Sequence, residues 1–149
     1  MKRTLIILTV IGCLVVAALF SRSLYQQDAA VEQSSELVMM VTTDFLVNWD
    51  PETVREHGSA ELLGRESADQ LQRRYLPMSR RLGALQEIYD IKYEVDIPGW
   101  WQGEAPARAS YSMLARFESE VATVSVQLIR QGDRWLISHY NIEPPAIAA

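Results

Sequence analysis

The chain has 149 residues, 48% of them hydrophobic and 22% charged, which fits one folded domain and excludes a disordered chain. Its net charge is −5, and without the three basic residues that flank the N-terminal apolar run the remainder carries roughly −8. A domain this acidic lacks the basic footprint of general nucleic-acid-binding proteins, so we expect no nucleic acid among its partners.

The N-terminus starts with a basic pair and continues into an unbroken apolar run from Leu5 to Phe20. As a helix this run is about 24 Å long, slightly shorter than the roughly 30 Å hydrocarbon core of a bilayer. Three interpretations stay open: a retained single-span anchor, a secretory signal cleaved after Ser23, or a lipoprotein signal ending at Cys13. In all three, the positive-inside rule predicts that the remainder of the chain is exported.

We therefore expect an inner-membrane protein with one span and its C-terminal domain in the periplasm, or a periplasmic protein after signal cleavage. The expected organisation is a signal or anchor over residues 1–24, a tether or helical continuation over 25–34, and a folded domain over 35–149. Cys13, the only cysteine, lies in the apolar run. The folded domain therefore has no disulfide, thiolate metal site or cysteine nucleophile.

Two helices are predicted at the start of the domain. Asp50 before Pro51 is typical of the start of a short helix, which Gly58 ends. The helix before it shows one apolar stripe, because apolar residues recur every four positions: Leu37, Val41, Phe45 and Trp49.

A third helix is predicted to start at a capping box formed by Ser67 and Gln70 and to end at Gly83. Pro77 is expected to kink this helix or split it.

Four arginines follow one face of the third helix: Arg73, Arg74, Arg80 and Arg81. This stripe is a candidate contact for an acidic partner or for anionic lipid head groups. The alternative is a solvated face whose arginines pair locally with Glu66, Asp69 and Glu87.

After Gly83 the hydrophobic period changes from 3.6 to 2 and predicts four strands. The first alternates through Tyr89, Ile91, Tyr93, Val95 and Ile97. Further strands follow over 109–117, 122–128 and 135–142, with a hairpin turn at Gly132. Helices followed by hairpin-connected strands predict an α+β fold with helices packed on an antiparallel sheet. Trp135 is expected to pack on the helix that carries Phe45 and Trp49.

The layout resembles the nuclear transport factor two-like superfamily, the cystatin-like cone fold. The segments that carry the resemblance are "FLVNWDPETV", "RRLGAL" and the closing "GDRWLISHYNI". It covers about Ser34 to Pro144 and implies a curved sheet wrapped around helices, with a conical pocket between them. The chain departs from the family pattern, because it has about four strands where many members have more. Members include isomerases, dehydratases, secretion-machinery domains and small bacterial envelope proteins of unknown role, so the fold does not decide the function.

Five polar side chains are candidates to face such a pocket: Asp44, Tyr75, Tyr93, Tyr111 and His139. The superfamily's isomerases use a carboxylate base with a tyrosine donor, and its dehydratases use a His–Asp pair. Asp44 and His139 supply these residue types, although no motif ties them to catalytic positions. With two histidines, neither near an acidic cluster, we expect no metal site and no cofactor.

The segment "PGWWQGEAP" is predicted to be a loop that carries Trp100 and Trp101 side by side. The pair is a candidate partner contact or an aromatic rim on a ligand pocket. The alternative is that one tryptophan closes the core and the other lies flat on the surface. Continued strand alternation would put them on opposite sides, so one is expected to be exposed.

The function that these observations favour is an extracytoplasmic, membrane-anchored binding or accessory module of the bacterial envelope. The alternatives are a small pocket enzyme of the isomerase or dehydratase type and a structural subunit of an envelope or secretion complex. The expected partners are the membrane, through the N-terminal helix, and either another envelope protein or a small apolar ligand. A deep pocket holding Asp44 or His139 would favour ligand chemistry, whereas a filled core with an exposed tryptophan would favour a partner protein.

Overall fold

The computed structural model describes residues 1–145, except for the side chain of Trp100. The chain divides into two compact units, Met1–Glu32 and Gln33–Ala149. The first helix, α1 (Lys2–Asn48), contains 47 residues. The segment expected to be a tether or a helical continuation is therefore helical.

The first unit is an apolar helix whose side chains face outward. Leu5 is 70% exposed and Phe20 is 69% exposed. The helix is long and apolar enough to cross a membrane, and its most apolar stretch is uncovered by the described part of the chain. A helix that is apolar on all sides fits a single-pass anchor or a signal sequence.

Short helices open the second unit, and their starts follow from side-chain caps. The Asp50 carboxylate accepts a hydrogen bond from the Glu52 amide at 3.0 Å and starts α2 (Pro51–Glu56), as predicted. A further helix, α3 (Ala60–Arg65), was not predicted. It starts at Ser59, whose hydroxyl accepts from the Leu62 amide at 3.3 Å.

The next helix, α4 (Ala68–Leu82), has the predicted capping box and ends at Gly83, where φ is 80°. It continues through Pro77 as one helix, so the possibility that Pro77 splits it is wrong. Proline removes the amide that would bond the carbonyl of Arg73. Because Pro77 lies on the exposed face, water can reach that carbonyl and lower the cost of the lost bond.

Four strands form one antiparallel sheet in the order β1-β2-β3-β4. Their bounds are β1 (Leu85–Asp96), β2 (Arg108–Phe117), β3 (Val121–Gln131) and β4 (Arg134–Glu143). Gly132, with φ of 64°, lies in the tight turn that joins β3 to β4. Helices on one face of a curved antiparallel sheet confirm the predicted α+β class.

Register shifts break the simple alternation in two strands. β1 has two shifts, one between Leu85 and Glu87 and one between Tyr89 and Lys92, where Asp90 has a φ of 50°. Tyr89 therefore points to the face opposite Tyr93, and the prediction that both lie on one apolar face is wrong. A further shift, in the β3–β4 register, leaves Ser138 opposite no β3 residue, between Ile137 and His139, which pair with Leu128 and Gln127.

The helices pack on the inner face of the sheet, and Phe45 lies at the centre of an aromatic cluster. Its ring centroid is 5.6 Å from that of Trp49, 5.2 Å from that of Tyr75 and 5.3 Å from that of Tyr140. Leu37, which the apolar period placed in the stripe, is only half-buried. The buried stripe of α1 in this unit instead comprises Ser34, Val38, Val41, Thr42, Phe45 and Leu46.

Trp135 is buried, with 7% of its surface exposed. Among the described residues, no aromatic ring contact joins it to Phe45 or Trp49, and its packing on the helix that carries them stays a prediction. Trp49 packs 5.9 Å from Phe117, at the end of the sheet opposite Trp135. Both tryptophans therefore close the core, but from opposite ends of the strands.

Candidate functional site

The candidate pocket tyrosines are mostly core residues. The Tyr111 hydroxyl lies 2.7 Å from the Ser34 hydroxyl on α1, and the Tyr93 ring stacks on Tyr111 at 5.9 Å. Burial raises the pKa of Tyr111, and the bond to Ser34 offsets part of that rise. Tyr75 is also buried and donates to the Tyr140 carbonyl at 3.1 Å. These contacts give Tyr75 and Tyr111 structural roles.

Asp44 and His139 do not meet. The Asp44 carboxylate is exposed on α1 and accepts hydrogen bonds from Asn48 at 2.7 Å and Thr53 at 3.0 Å. His139 is exposed and pairs with Gln127, whose side chain lies on the outer face, away from the helices. The sheet therefore separates the two side chains, and they cannot act as the His–Asp pair considered above.

The inner face of the sheet is filled where the cone fold would have its pocket. Aromatic and aliphatic side chains from both layers lie there with at most 2% of their surface exposed: Val38, Phe45, Leu71, Met113, Val124, Tyr140 and Ile142. The described candidate residues thus do not line one enclosed cavity.

Two of the candidate pocket residues, Tyr93 and Tyr111, line an open depression on strands β1 to β3. Its other lining residues are Lys92, Glu94, Ser110, Ser112, Ser125, Val126 and Gln127. Within residues 1–145, no group of three or more His, Cys, Asp or Glu side chains could hold a metal ion.

The arginine stripe divides into paired and unpaired members. Arg74 lies 2.6 Å from Glu66, as predicted, and Arg81 binds both oxygens of Glu120, the shorter contact being 2.9 Å. Arg73 and Arg80 are exposed, and neither has an ion pair within the described part of the chain.

Two of the predicted acidic partners do not pair with the stripe. The pairing with Glu87 is wrong, because Glu87 binds Arg116 on β2 at 2.9 Å. Asp69 likewise forms no ion pair among residues 1–145.

The connection between β1 and β2, residues 97–107, is called the tryptophan loop below. It contains a 3₁₀ turn, Trp100–Gln102, which is held by two reciprocal bonds. The Gly99 amide donates to the Gln102 side-chain oxygen at 2.9 Å, and the Gln102 amide donates to the Gly99 carbonyl at 2.9 Å. The first bond is the half of a capping box in which the N3 side chain reaches back, and the second is the backbone bond of the 3₁₀ turn.

The turn presents Trp101 to solvent. The indole lies over Gly99 so closely that a Cβ at position 99 would clash with its ring, yet 71% of the residue is exposed. The prediction on Trp100 concerns a side chain outside the described residues. Sequence reasoning missed Gly99 and Gln102, although a glutamine three residues after the start of a turn can reach back to the amide at that start.

Comparison of the chain with protein-family models, curated proteins and solved structures gives no match. Membership of the cone-fold superfamily therefore stays a prediction, whereas the α+β architecture is visible in the structure itself.

Proposed function

We propose that this chain is a single-pass, membrane-anchored accessory module of the bacterial envelope. Its folded domain lies on the extracytoplasmic side and binds another protein through the tryptophan loop. The N-terminal helix supplies the anchor, because its apolar side chains are exposed on all sides. Lys2 and Arg3 at its start support an orientation with the N-terminus in the cytoplasm.

The exposed indole of Trp101 is the observation that carries the proposed binding role. A tryptophan that is 71% exposed leaves a large apolar surface in water. The hydrogen bonds between Gly99 and Gln102 and the contact between Gly99 and the indole hold the loop in one conformation. An ordered aromatic side chain loses little conformational entropy on binding, which is why tryptophan is enriched at binding hot spots.

The alternative of a pocket enzyme has less support. Asp44 bonds to neighbouring side chains on the helix layer, and His139 lies on the outer face of the sheet. An acid and a base that act on one substrate must both reach it, and these two side chains lie on opposite sides of the sheet.

The proposed orientation is tested with reporter fusions after Ala149. A reporter that works only outside the cytoplasm should be active there, and a reporter that works only in the cytoplasm should be inactive. The reverse pattern would contradict the proposed location of the domain.

The proposed binding role is tested by placing the photo-crosslinking residue benzoylphenylalanine at position 101 of the full chain in intact cells. Illumination should give a discrete protein adduct. The matched control carries the same residue at Ser112, an exposed position on the outer face. Equal adducts from both positions, or none from position 101, would contradict the proposed role of the loop.

A further inference from the structure

We infer that the protein binds a second copy of itself, with the tryptophan loop of one copy docked on the exposed face of α4 in the next. This inference rests on the proposed function, because it names the partner of the same loop. It is carried by two surfaces of opposite charge that lie at opposite ends of the domain.

The first surface is the tryptophan loop together with the end of β1. Trp101 lies between Asp96 and Glu104 in the sequence, and both carboxylates are exposed. Neither forms an ion pair within the described part of the chain. Arg108 stands opposite Asp96 in the β1–β2 register but forms no ion pair with it. This surface therefore carries an exposed indole, two carboxylates and the exposed guanidinium of Arg108, so that acidic groups outnumber basic ones on it.

The second surface is one face of α4. Arg73, Leu76, Pro77 and Arg80 follow the i, i+3, i+4, i+7 spacing that puts residues on the same side of a helix. Leu76 is 43% exposed, and the two arginines have no ion pair among the described residues. On the flank of the same helix, Arg74 and Arg81 are both paired with glutamates. The unpaired cations therefore belong to the outward face alone.

The two surfaces are chemically complementary. A guanidinium group can stack on the face of an indole and can also bind a carboxylate through two parallel hydrogen bonds. The α4 face offers two guanidinium groups that flank an apolar side chain, and the loop surface offers two carboxylates that flank the tryptophan in the sequence. Docking one on the other would pair the charges of Arg73 and Arg80 with Asp96 and Glu104 and would cover Leu76 with Trp101.

One copy cannot make this contact with itself. The tryptophan loop precedes Arg108 at the start of β2, whereas Arg81 binds Glu120 just beyond the other end of β2. Ten residues of strand separate the two ends, roughly 30 Å at 3.3 Å per residue. Two different patches at opposite ends of a domain form a head-to-tail contact that can repeat from copy to copy. An anchor confines the copies to one membrane and raises their effective concentration.

Cysteine crosslinking in membranes tests the inference on the full chain. The background carries Cys13→Ser, which removes the only cysteine. One tagged copy carries Ala105→Cys in the loop, and a second, differently tagged copy carries Gln72→Cys on α4. Both positions are exposed and leave the four proposed charges intact. Oxidation should join the two kinds of copy, with a yield about tenfold above that of a control pair in which Gln127→Cys replaces Gln72→Cys.

Charge reversal tests the chemistry of the contact. Arg73→Glu with Arg80→Glu in the Gln72→Cys copy should lower the yield about tenfold, and so should Asp96→Arg with Glu104→Arg in the Ala105→Cys copy. Combining the two reversed copies should restore the yield, because opposite charges meet again. A disulfide only between two Ala105→Cys copies would indicate a two-fold contact and overturn the inference. If charge reversal lowers the crosslinking yield and the two reversed copies together do not restore it, the α4 arginines bind another anionic partner, such as lipid. That result would also overturn the inference.

The adduct formed from position 101 separates the two proposals. An adduct at twice the mass of the chain supports both. An adduct of another mass supports a binding role for the loop but overturns self-association. No adduct at all removes the proposed function and this inference together.

Discussion

The indole of Trp101 lies directly on Gly99, so close that a Cβ added at position 99 would clash with the ring unless the indole moved. The same glycine donates its amide to the side chain of Gln102 and accepts the Gln102 amide in return. Gly99 is therefore the residue that sets the position of the exposed tryptophan.

Replacing Gly99 with alanine should displace the indole without unfolding the domain. With benzoylphenylalanine at Ala105, Gly99→Ala should lower the adduct yield, because the tryptophan no longer occupies its ordered position. The unfolding temperature should change little, since the loop lies outside the buried core. Gly64→Ala is the control: Gly64 lies in α3 with no atom near an added Cβ, and its adduct yield should equal that of the wild type. Equal yields from Gly99→Ala and Gly64→Ala would contradict the role assigned to Gly99.

Phe45→Ala should be strongly destabilising. Phe45 is fully buried and contacts three aromatic rings, so its removal leaves a cavity at the centre of the domain. We expect a loss of about 3–5 kcal/mol in the free energy of unfolding, measured by denaturant titration of the purified chain. Val47→Ala serves as the control, because Val47 is 60% exposed on the same helix. A loss below about 1 kcal/mol for Phe45→Ala would contradict the assigned core.

Tyr111→Phe should cost about 1 kcal/mol in the free energy of unfolding. The substitution keeps the ring that stacks on Tyr93 but removes the hydroxyl next to Ser34. Tyr93→Phe is the control for general effects of losing a tyrosine hydroxyl, because Tyr93 is 58% exposed. Equal stability of the two variants would show that the bond to Ser34 contributes nothing.

Stability should fall at alkaline pH. Burial raises the pKa of Tyr75, Tyr111 and Tyr140 above the ordinary value of 10.0, so the unfolded chain loses these protons first. The free energy of unfolding should therefore be unaffected by these groups at pH 7–9 and should fall above about pH 10.

The Tyr140→Phe variant isolates one of these groups. It should reduce the alkaline slope by at most about 1.4 kcal/mol per pH unit, the value for one proton. Tyr25→Phe is the control, because Tyr25 is 76% exposed and lies outside the folded core. A slope that Tyr140→Phe leaves unchanged would contradict the assigned burial of that hydroxyl.

Local signals in the sequence predicted the features that depend on neighbouring residues. The Asp50 cap, the Ser67–Gln70 capping box and the turn at Gly132 each follow from the chemistry of a few adjacent residues, and all three are present. The helix-then-strand order, and with it the α+β class, follows from hydrophobic periods over longer windows.

Features that depend on partner strands were not predictable in the same way. The alternation around Tyr89 and Tyr93 reads as one regular strand, but pairing with β2 places a bulge at Asp90 and reverses the faces. The separation of Asp44 from His139 likewise depends on which face of the sheet the helices cover. The exposure of Trp101 was expected for one of the two tryptophans, but the glycine contact that orders it depends on the turn geometry.

The Trp101→Ala variant tests the central claim, that this side chain serves binding rather than folding. Two quantities are measured on the full chain: the unfolding temperature, and the adduct yield from benzoylphenylalanine at Ala105. We predict an unfolding temperature within about 2 °C of the wild type, because most of Trp101 is in solvent. We also predict an adduct yield lower by about thirtyfold, the equivalent of a 2 kcal/mol hot spot. A drop of more than about 5 °C with the adduct retained would show that Trp101 stabilises the fold and contributes nothing to binding.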